Sequence, residues 1–399
     1  MPAAPASRTR PLALITLASL IAPGLLCAQD TPSPPQPSED HRQIVLAGKI
    51  GEKAAVRAII TTTPNELGSS QLHGTYHYLS QKKTLHLWGN LEGDEASLEE
   101  GARRYAEDVT GRFNGTWSFG DEPGKTTFKG TWTSADQKRK LPFTLTEVQD
   151  PDIPGLDFFV FAEEYARRSG SHVMHREQAL IFPQLRGKGK AIKQVNGYIR
   201  HLALQLVDDT EDEPAPDAAP PSLKTLEKAV RAPLPDDKEL EDLEIGHFAS
   251  LTYEETFEVL LNENKLLSLR LFHSEYTGGA HPNYGASHVT FDLTTGDELT
   301  LDDLLKPGWR DVVTQLAEAS LREQHGLKPD APLNAEGPLF ENTFELNDNW
   351  FLTSEGLGFS YDPYEIGPYA AGFIEPVIPF TQLKSLIRPN SPLTRLIGE

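Results

Sequence analysis

The most constraining feature of the sequence is a series of short β-type runs, separated by turn residues, between residues 43 and 148. Even spacing of this kind is typical of an antiparallel sheet or a small barrel, because short turns join strands that are neighbours in space. The pattern therefore predicts an all-β domain over residues 43–150. The predicted strands are 44–50, 55–61, 72–78, 84–91, 109–118, 126–133 and 141–146.

Two of these strands repeat a Phe-x-Gly-x-Trp motif, at residues 113–117 and 128–132. Side chains alternate along a strand, so the Phe, Gly and Trp of each copy lie on one face. One interpretation is a structural aromatic stripe. The other is a carbohydrate-binding surface in which Trp117 and Trp132 stack on sugar rings, and it requires both tryptophans to be exposed.

After two prolines in residues 150–154, the pattern changes to a mixture of helices and strands. It predicts an α+β domain over residues 151–399, in which helices pack on an antiparallel sheet. An acidic, proline-rich insertion at 208–222 is predicted to be a solvated loop. The predicted helices are 190–207 and 309–325, with a helical mixture at 158–168, and the predicted strands are 179–185, 250–258, 266–274, 287–293, 349–352, 357–361 and 375–379.

The N-terminal residues have the order of an export signal: Arg8 and Arg10, an apolar run, then Cys27 and Ala28. We therefore expect a signal peptide over residues 1–28, a disordered linker over 29–42, and a periplasmic or extracellular protein. Lipid anchoring at Cys27 is the less favoured alternative, because Leu26 stands where a lipoprotein signal prefers a small residue. Cys27 is the only cysteine, so the mature protein is predicted to have no disulfide.

Removal of residues 1–28 would change the formal net charge from −21 to −23. Such a charge repels nucleic acid and favours encounter with basic partners. No later segment approaches the run of about eighteen apolar residues that a membrane span needs. We therefore expect neither nucleic-acid binding nor a membrane span.

The sequence contains no motif of a serine hydrolase, a zinc peptidase or a phosphate-binding loop. His73 and His77 have the spacing of a helical zinc pair, but in a strand four residues span roughly 13 Å, too far for two ligands of one ion. Ser80 and Lys83 match Ser-x-x-Lys in a turn, where chance explains the match. The sequence therefore predicts no catalytic residue, cofactor or metal.

One set of histidines leaves an alternative open. His273, His281 and His288 would converge with Glu275 on a metal or acid–base site if the turn between them folded back. The favoured interpretation is structural: His281 hydrogen-bonds the turn, and His273 and His288 lie on strand surfaces.

Two stretches have the character of recognition loops. Residues 276–284 form a turn rich in small residues, and residues 363–369 combine two prolines with two tyrosines in a stiff, amphipathic loop. We therefore predict that both stretches contact a partner. The predicted partner-binding residues are Tyr276, Thr277, Gly278, Gly279, His281, Tyr284, Tyr364, Glu365 and Tyr369.

These stretches also carry a resemblance. Three segments carry it: SLRLFHSEYTGGAHPNYG, TFDLTTGDELTLDDLL and GLGFSYDPYEIGPYAAGFIEPVIPF. They resemble the paired exodomain of RsiV-type anti-sigma factors. The same pair occurs as the non-catalytic N-terminal region of PdaC-type peptidoglycan deacetylases, and ALIFPQLRGKGKAIKQVNGYIRHLAL resembles its first half. The resemblance covers residues 177–385. It implies an α+β fold and, in the anti-sigma members, capture of lysozyme outside the cell.

The protein departs from both architectures. It lacks the transmembrane helix and cytoplasmic segment of the anti-sigma factors, and it has no deacetylase catalytic segment. The leading hypothesis is a secreted, non-enzymatic envelope protein that binds a basic protein such as a lysozyme-like muramidase. The alternatives are a carbohydrate- or peptidoglycan-binding module and a hydrolase of envelope polymers.

Overall fold

The structure is a computed structural model that describes residues 35–38, 41–64, 69–80, 84–101, 109–119, 125–150, 152–169, 172–208, 219–231 and 248–397. The expected signal peptide with Cys27, most of the expected linker, Lys83 and most of the acidic insertion lie outside the described residues. Among the described residues, no helix is both long enough and apolar enough to cross a lipid bilayer.

The first eight strands form a closed antiparallel barrel. Each strand pairs with the next in sequence, and β1 also pairs with β8, from Leu46 opposite Glu147 to Ile50 opposite Phe143. This closure removes both edges of the sheet. The strands are β1 (Arg42–Ile50), β2 (Ala54–Pro64), β3 (Ser70–Tyr78), β4 (Thr84–Glu92), β5 (Glu95–Gly101), β6 (Val109–Ser118), β7 (Thr127–Ser134) and β8 (Lys140–Glu147).

The predicted β-strands of this segment are confirmed, and β5 is an addition. Its sequence, EASLEEG, is poor in the β-branched and aromatic residues that favour strands. It forms because Ala96 and Leu98 point into the barrel between β4 and β6. Burial of two side chains and two ladders of backbone hydrogen bonds outweigh the weak local preference.

The repeated Phe-x-Gly-x-Trp motif lines the barrel interior. Trp117 is 1% exposed and Trp132 is 5% exposed. The ring centroids of Trp117 and Phe128 lie 5.3 Å apart, and those of Phe128 and Phe143 lie 4.6 Å apart. The structural interpretation of the stripe is therefore right, and stacking of Trp117 and Trp132 on a sugar is excluded because neither ring reaches solvent.

A second group of five strands continues the same sheet, because Arg42 and Gln43 of β1 pair with Asp157 and Leu156 of β9. Neighbouring strands are antiparallel except β10 and β11, which are parallel. A parallel pair needs a crossover connection, which contains helices α1 and α2. The elements are β9 (Leu156–Ser169), β10 (His172–Leu185), α1 (Lys190–Asp208), α2 (Leu223–Val230), β11 (Phe248–Glu263), β12 (Leu266–Tyr276) and β13 (Asn283–Asp292).

The helices α1 and α2 cover one face of this sheet. Val195, Ile199 and Ala203 of α1 are fully buried against strand residues such as Phe182 and Phe291. The predicted helix at 190–207 is confirmed. The helical interpretation of residues 158–168 is wrong, because that segment belongs to β9 and pairs with β10 along its whole length. Cross-strand pairing overrides the helical preference of its alanines and glutamates.

Residues 293–397 pack on the opposite face of β12 and β13, and we call them the C-terminal layer. Their core joins Val313, Ala317 and Leu321 of α4 to Leu352 and Phe359 of a three-stranded sheet. Thr300 is the N-cap of α3. The elements are α3 (Leu301–Leu304), α4 (Arg310–Gln324), β14 (Trp350–Leu352), β15 (Gly356–Phe359), a 3₁₀ turn (Tyr369–Ala371), β16 (Val377–Pro379), α5 (Phe380–Leu383) and α6 (Thr394–Ile397). The fold is mostly β with packed helices, as expected.

Candidate functional site

The two predicted recognition stretches lie side by side. The first is the turn between β12 and β13, and the second follows β15, about 80 residues later in sequence. The Tyr369 hydroxyl donates a hydrogen bond to the Pro282 carbonyl oxygen at 2.8 Å, and the ring of Tyr369 stacks on that of His281 at 3.8 Å. The fold therefore joins the two stretches into one surface.

Four rings form the centre of this surface, and we call His281, Tyr284, Tyr364 and Tyr369 the aromatic cluster. Tyr369 contacts both other tyrosines, with centroid distances of 5.4 Å to Tyr284 and 5.7 Å to Tyr364. Tyr364 is 56% exposed, whereas the other three rings are half-buried. The cluster thus presents one open ring on a packed aromatic base.

The loop that carries Tyr364 is held by its own hydrogen bonds. Tyr364 has a φ of +73°, a left-handed conformation that is uncommon for an aromatic residue. Its backbone N–H donates to the Gly367 carbonyl at 3.0 Å. The Glu365 carboxylate accepts from the Asp362 backbone N–H at 2.9 Å and from the Asn347 side chain at 3.0 Å. Glu365, a predicted contact residue, therefore also shapes the loop.

The turn between β12 and β13 is shaped by its small residues. Gly278 and Gly279 have φ values of +101° and +107°, which glycine adopts without a steric penalty. The Tyr276 hydroxyl donates to the Gly279 carbonyl at 3.2 Å, and Thr277 is exposed beside it. Of the predicted partner-binding residues in this turn, His281 and Tyr284 belong to the aromatic cluster, and Tyr276, Thr277, Gly278 and Gly279 form the part of the turn that precedes it.

A charged group that sequence reasoning missed supports the cluster from below. Arg270 of β12 is only 16% exposed and forms ion pairs with Glu258, at 3.3 Å, and with Glu375. Its guanidinium lies 5.4 Å from the centroid of the Phe373 ring, which packs on Tyr284 at 5.3 Å. The available signal was a lone arginine in the apolar run LLSLRLF.

Asp362 connects the loop to the edge of the main sheet. Its carboxylate accepts a hydrogen bond from the Ala286 backbone N–H at 3.0 Å. A Cβ atom on Gly285 would come within 2.6 Å of both the Asp362 carboxylate and the His273 ring. Glycine at this position therefore lets the loop approach β13 closely.

The ionisation of the site favours neutral hydroxyl groups. Burial, followed by the charges of Tyr369 and Asp362, raises the pKa of Tyr284, and burial with the neighbouring Tyr364 raises the pKa of Tyr369. Burial also raises the pKa of the Asp362 carboxyl. Tyr284 and Tyr369 therefore keep their protons at neutral pH, so each offers an aromatic face and a hydroxyl donor.

The three histidines considered as a metal or acid–base site have separate roles. His281 bonds the Pro282 carbonyl of the turn at 3.0 Å, as the structural interpretation predicts. His288 is not on a surface: it lies beneath the C-terminal layer, bonds Asn349 at 2.8 Å and stacks on Phe351 at 4.9 Å. His273 faces Asp362 instead. The three rings therefore do not converge.

Acidification is expected to destabilise the fold through His288. Burial and the nearby Arg270 charge lower the pKa of His288 from 6.5 to about 4, although the Asn349 hydrogen bond opposes the shift. The unfolded protein therefore binds a proton that the folded protein excludes between these two values, and stability falls as the pH drops through that range. The expected loss at pH 4.5 is about 2–3 kcal/mol.

Urea unfolding at pH 7 and pH 4.5 measures this loss. The His288→Gln variant should show a correspondingly smaller difference between the two pH values, whereas His325→Gln, at an exposed histidine, should behave as the unmodified protein. His41 is also buried, with a pKa lowered to about 4. The loss of stability that His41 causes on acidification should therefore persist in both variants. An unchanged pH dependence in His288→Gln would contradict the assignment.

Two family models match segments that follow the barrel in sequence. Residues 176–284 match the family described as deacetylase PdaC, and residues 302–381 match DUF3298, a family described as proteins of unknown function. The PdaC part of the predicted resemblance is therefore confirmed. His281 and Tyr284 lie in the first matched segment, and Tyr364 and Tyr369 lie in the second. The aromatic cluster forms where the two segments meet.

Two crystal structures are similar to this protein, and both are of DUF3298 family proteins. One, from Bacteroides fragilis, has 21% sequence identity and a TM-score of 0.49, and the match covers 62% of this protein and 100% of that one. The other, from Pseudomonas aeruginosa, has 22% identity and a TM-score of 0.41, and the match covers 60% and 96%. No curated protein matches the sequence.

Proposed function

We propose that the aromatic cluster is the docking surface of an exported, non-enzymatic envelope protein, and that its partner is a basic protein of the lysozyme type. The observation that carries the proposal is the convergence of two distant stretches into one rigid, tyrosine-rich surface. Tyrosine supplies a large contact area at low conformational cost, and rigid loops avoid the entropy of ordering on binding.

The charge of the protein supports a basic partner. The formal net charge of −21 would steer a cationic protein toward the surface and accelerate encounter. The resemblance to RsiV-type exodomains suggests lysozyme as that protein, and the PdaC-type segment supports a place in the cell envelope. The tyrosines would then supply the short-range contacts that persist when salt screens the charges.

The carboxylates near the cluster favour binding over hydrolysis. Asp362 accepts from the Ala286 backbone, Glu365 holds its own loop, and Glu375 is paired with Arg270 while accepting from the Ser360 hydroxyl at 2.9 Å. A glycosidase needs two carboxylates facing a substrate across a cleft. These three carboxylates are instead engaged in holding the loops.

A second candidate partner is peptidoglycan. The exposed ring of Tyr364, backed by Tyr369, offers an aromatic platform of the kind on which a sugar can stack. This candidate replaces the tryptophan-based carbohydrate site, which the buried positions of Trp117 and Trp132 exclude. It makes the same tyrosines essential but requires no charge on the ligand.

Replacement of Tyr364 and Tyr369 by alanine is expected to weaken lysozyme binding at least tenfold. The double substitution would remove the centre of the docking surface, where aromatic residues commonly contribute about 2 kcal/mol each to the binding free energy. Residues 29–399 would be titrated with a basic lysozyme by calorimetry at low and at physiological salt, with muramidase activity measured alongside. Loss of muramidase activity in the complex would show that the protein is an inhibitor.

The matched control is Tyr198→Ala, at a tyrosine of α1 that is 36% exposed and outside the cluster. It should bind lysozyme as the unmodified protein does. Binding that disappears at physiological salt, or that is equally strong in the double variant, would refute docking through the cluster. Sedimentation with insoluble peptidoglycan tests the second candidate, because only a glycan site would make that binding depend on Tyr364 and Tyr369.

A further inference from the structure

A histidine and two glutamates meet on the hairpin formed by β9 and β10, away from the aromatic cluster. Glu164 and Glu177 are directly opposite each other in the antiparallel register. His175 lies two residues before Glu177 on the same strand. Because side chains alternate along a strand, all three project from the same face of the sheet. We call these residues the Glu-His-Glu triad.

The distances within the triad suit a single metal ion. His175 Nε2 lies 2.8 Å from Glu164 Oε1, and His175 Nδ1 lies 3.7 Å from Glu177 Oε1. One ligand atom from each residue can be chosen so that all three lie within 4.8 Å of one another. Ligands bonded to zinc at about 2.0–2.2 Å are about 3.3 Å apart in a tetrahedral site. The two carboxylates flank opposite nitrogens of the imidazole, so rotation of these partly exposed side chains is needed to close the triad around an ion.

The electrostatics of the hairpin favour a cation at this point. Two carboxylates directly opposite each other across an antiparallel pair repel, and such like-charge pairs destabilise a sheet. The side chains of Glu164, His175 and Glu177 are 40%, 24% and 21% exposed, so an ion can reach them from solvent. An ion would neutralise the repulsion and link β9 to β10.

We propose that the Glu-His-Glu triad binds a divalent transition-metal ion of the zinc type. One imidazole nitrogen and one oxygen from each carboxylate supply three ligands, and the remaining position is open to water or to a group from a partner. Mixed nitrogen and oxygen ligands favour zinc-like ions over magnesium or calcium, which prefer oxygen alone.

Calorimetric titration of the untagged, chelator-treated protein with Zn²⁺ tests the proposal. One equivalent is expected to bind at pH 7.5. Each of Glu164→Gln, His175→Gln and Glu177→Gln should weaken binding at pH 7.5 at least tenfold. Circular dichroism of each variant establishes that it remains folded, and Co²⁺ absorption spectra give a second measure of coordination.

A second histidine–glutamate pair provides a matched control. His86 and Glu355 lie 3.2 Å apart, with side-chain exposures of 23% and 42%, close to those of His175 and Glu164. Among the residues that the structure describes, only the Glu-His-Glu triad brings three such ligands together, so His86→Gln should leave zinc binding unchanged. Absence of stoichiometric binding, or equal losses in His86→Gln and His175→Gln, would overturn the proposal.

Discussion

Replacement of Arg270 by methionine is expected to lower the free energy of unfolding by about 3 kcal/mol and to loosen the aromatic cluster. Arg270 is 16% exposed, and its removal would leave Glu375, which is 26% exposed, without its cation. Breaking a buried ion pair by removing one partner costs about 3–5 kcal/mol, and the partial exposure of both carboxylates places this case at the low end. Chemical denaturation followed by tryptophan fluorescence measures the change.

The effect should reach the candidate site because Arg270 lies beside Phe373, which packs on Tyr284. The variant should therefore also bind lysozyme more weakly, even though Arg270 itself need not touch the partner. Adding Glu375→Gln to Arg270→Met removes the isolated charge and should recover part of the lost stability.

The control is Arg112→Met on the barrel. Arg112 pairs with Glu99 at 3.2 Å, but the two side chains are 42% and 40% exposed. Exposed pairs contribute little, so the expected loss is below about 1 kcal/mol. Equal losses in the two arginine variants would show that Arg270 is an ordinary surface charge and would remove its role beneath the cluster.

Replacement of Gly130 by alanine is expected to destabilise the barrel by about 3 kcal/mol. Gly130 and Gly115 are directly opposite each other on β7 and β6. A Cβ atom on Gly130 would come within 2.1 Å of the Asn114 carbonyl oxygen and 2.6 Å of the Gly115 Cα. Backbone atoms cannot rotate away as side chains do, so the strands must separate, and overpacking costs of about 1–3 kcal/mol or more follow.

Gly189→Ala provides the comparison. A Cβ atom there would meet only Ile192, at 4.0 Å, so we expect a change within about 0.5 kcal/mol. Thermal unfolding of both variants, followed by circular dichroism, measures the difference. A Gly130→Ala variant as stable as Gly189→Ala would show that β6 and β7 separate without cost and that the repeated glycine has another role.

The close approach of the strands at Gly130 also explains the repeated motif in physical terms. The aromatic residues of the two copies fill the barrel, and the glycines let β6 and β7 approach closely. From the sequence, period-two alternation placed Phe, Gly and Trp on one face. Whether that face pointed inward depended on closure, because the same alternation fits an exposed stripe.

The predicted partner-binding residues show a similar division. Small residues at 276–284 and the prolines and tyrosines at 363–369 identify two loops from local composition alone. Their contact depends on the packing of the C-terminal layer against β13, through contacts such as Asp362 to Ala286 and Tyr369 to Pro282. Neither stretch, considered by itself, predicts a contribution from Arg270, Asp362 or Phe373. The binding function of the cluster and the domain boundary near residue 150 stay predictions.

By itself the sequence determined the features that depend on neighbours along the polypeptide. These are most strands of the barrel, helices α1 and α4, and the positions of both predicted recognition loops. Only the tertiary structure decided the pairing of β1 with β8, the strands β5 and β9, the burial of Trp117 and Trp132, and the assembly of the aromatic cluster and the Glu-His-Glu triad. Each of these depends on residues that are distant in sequence or on which face of a strand is covered, and local periodicity contains neither.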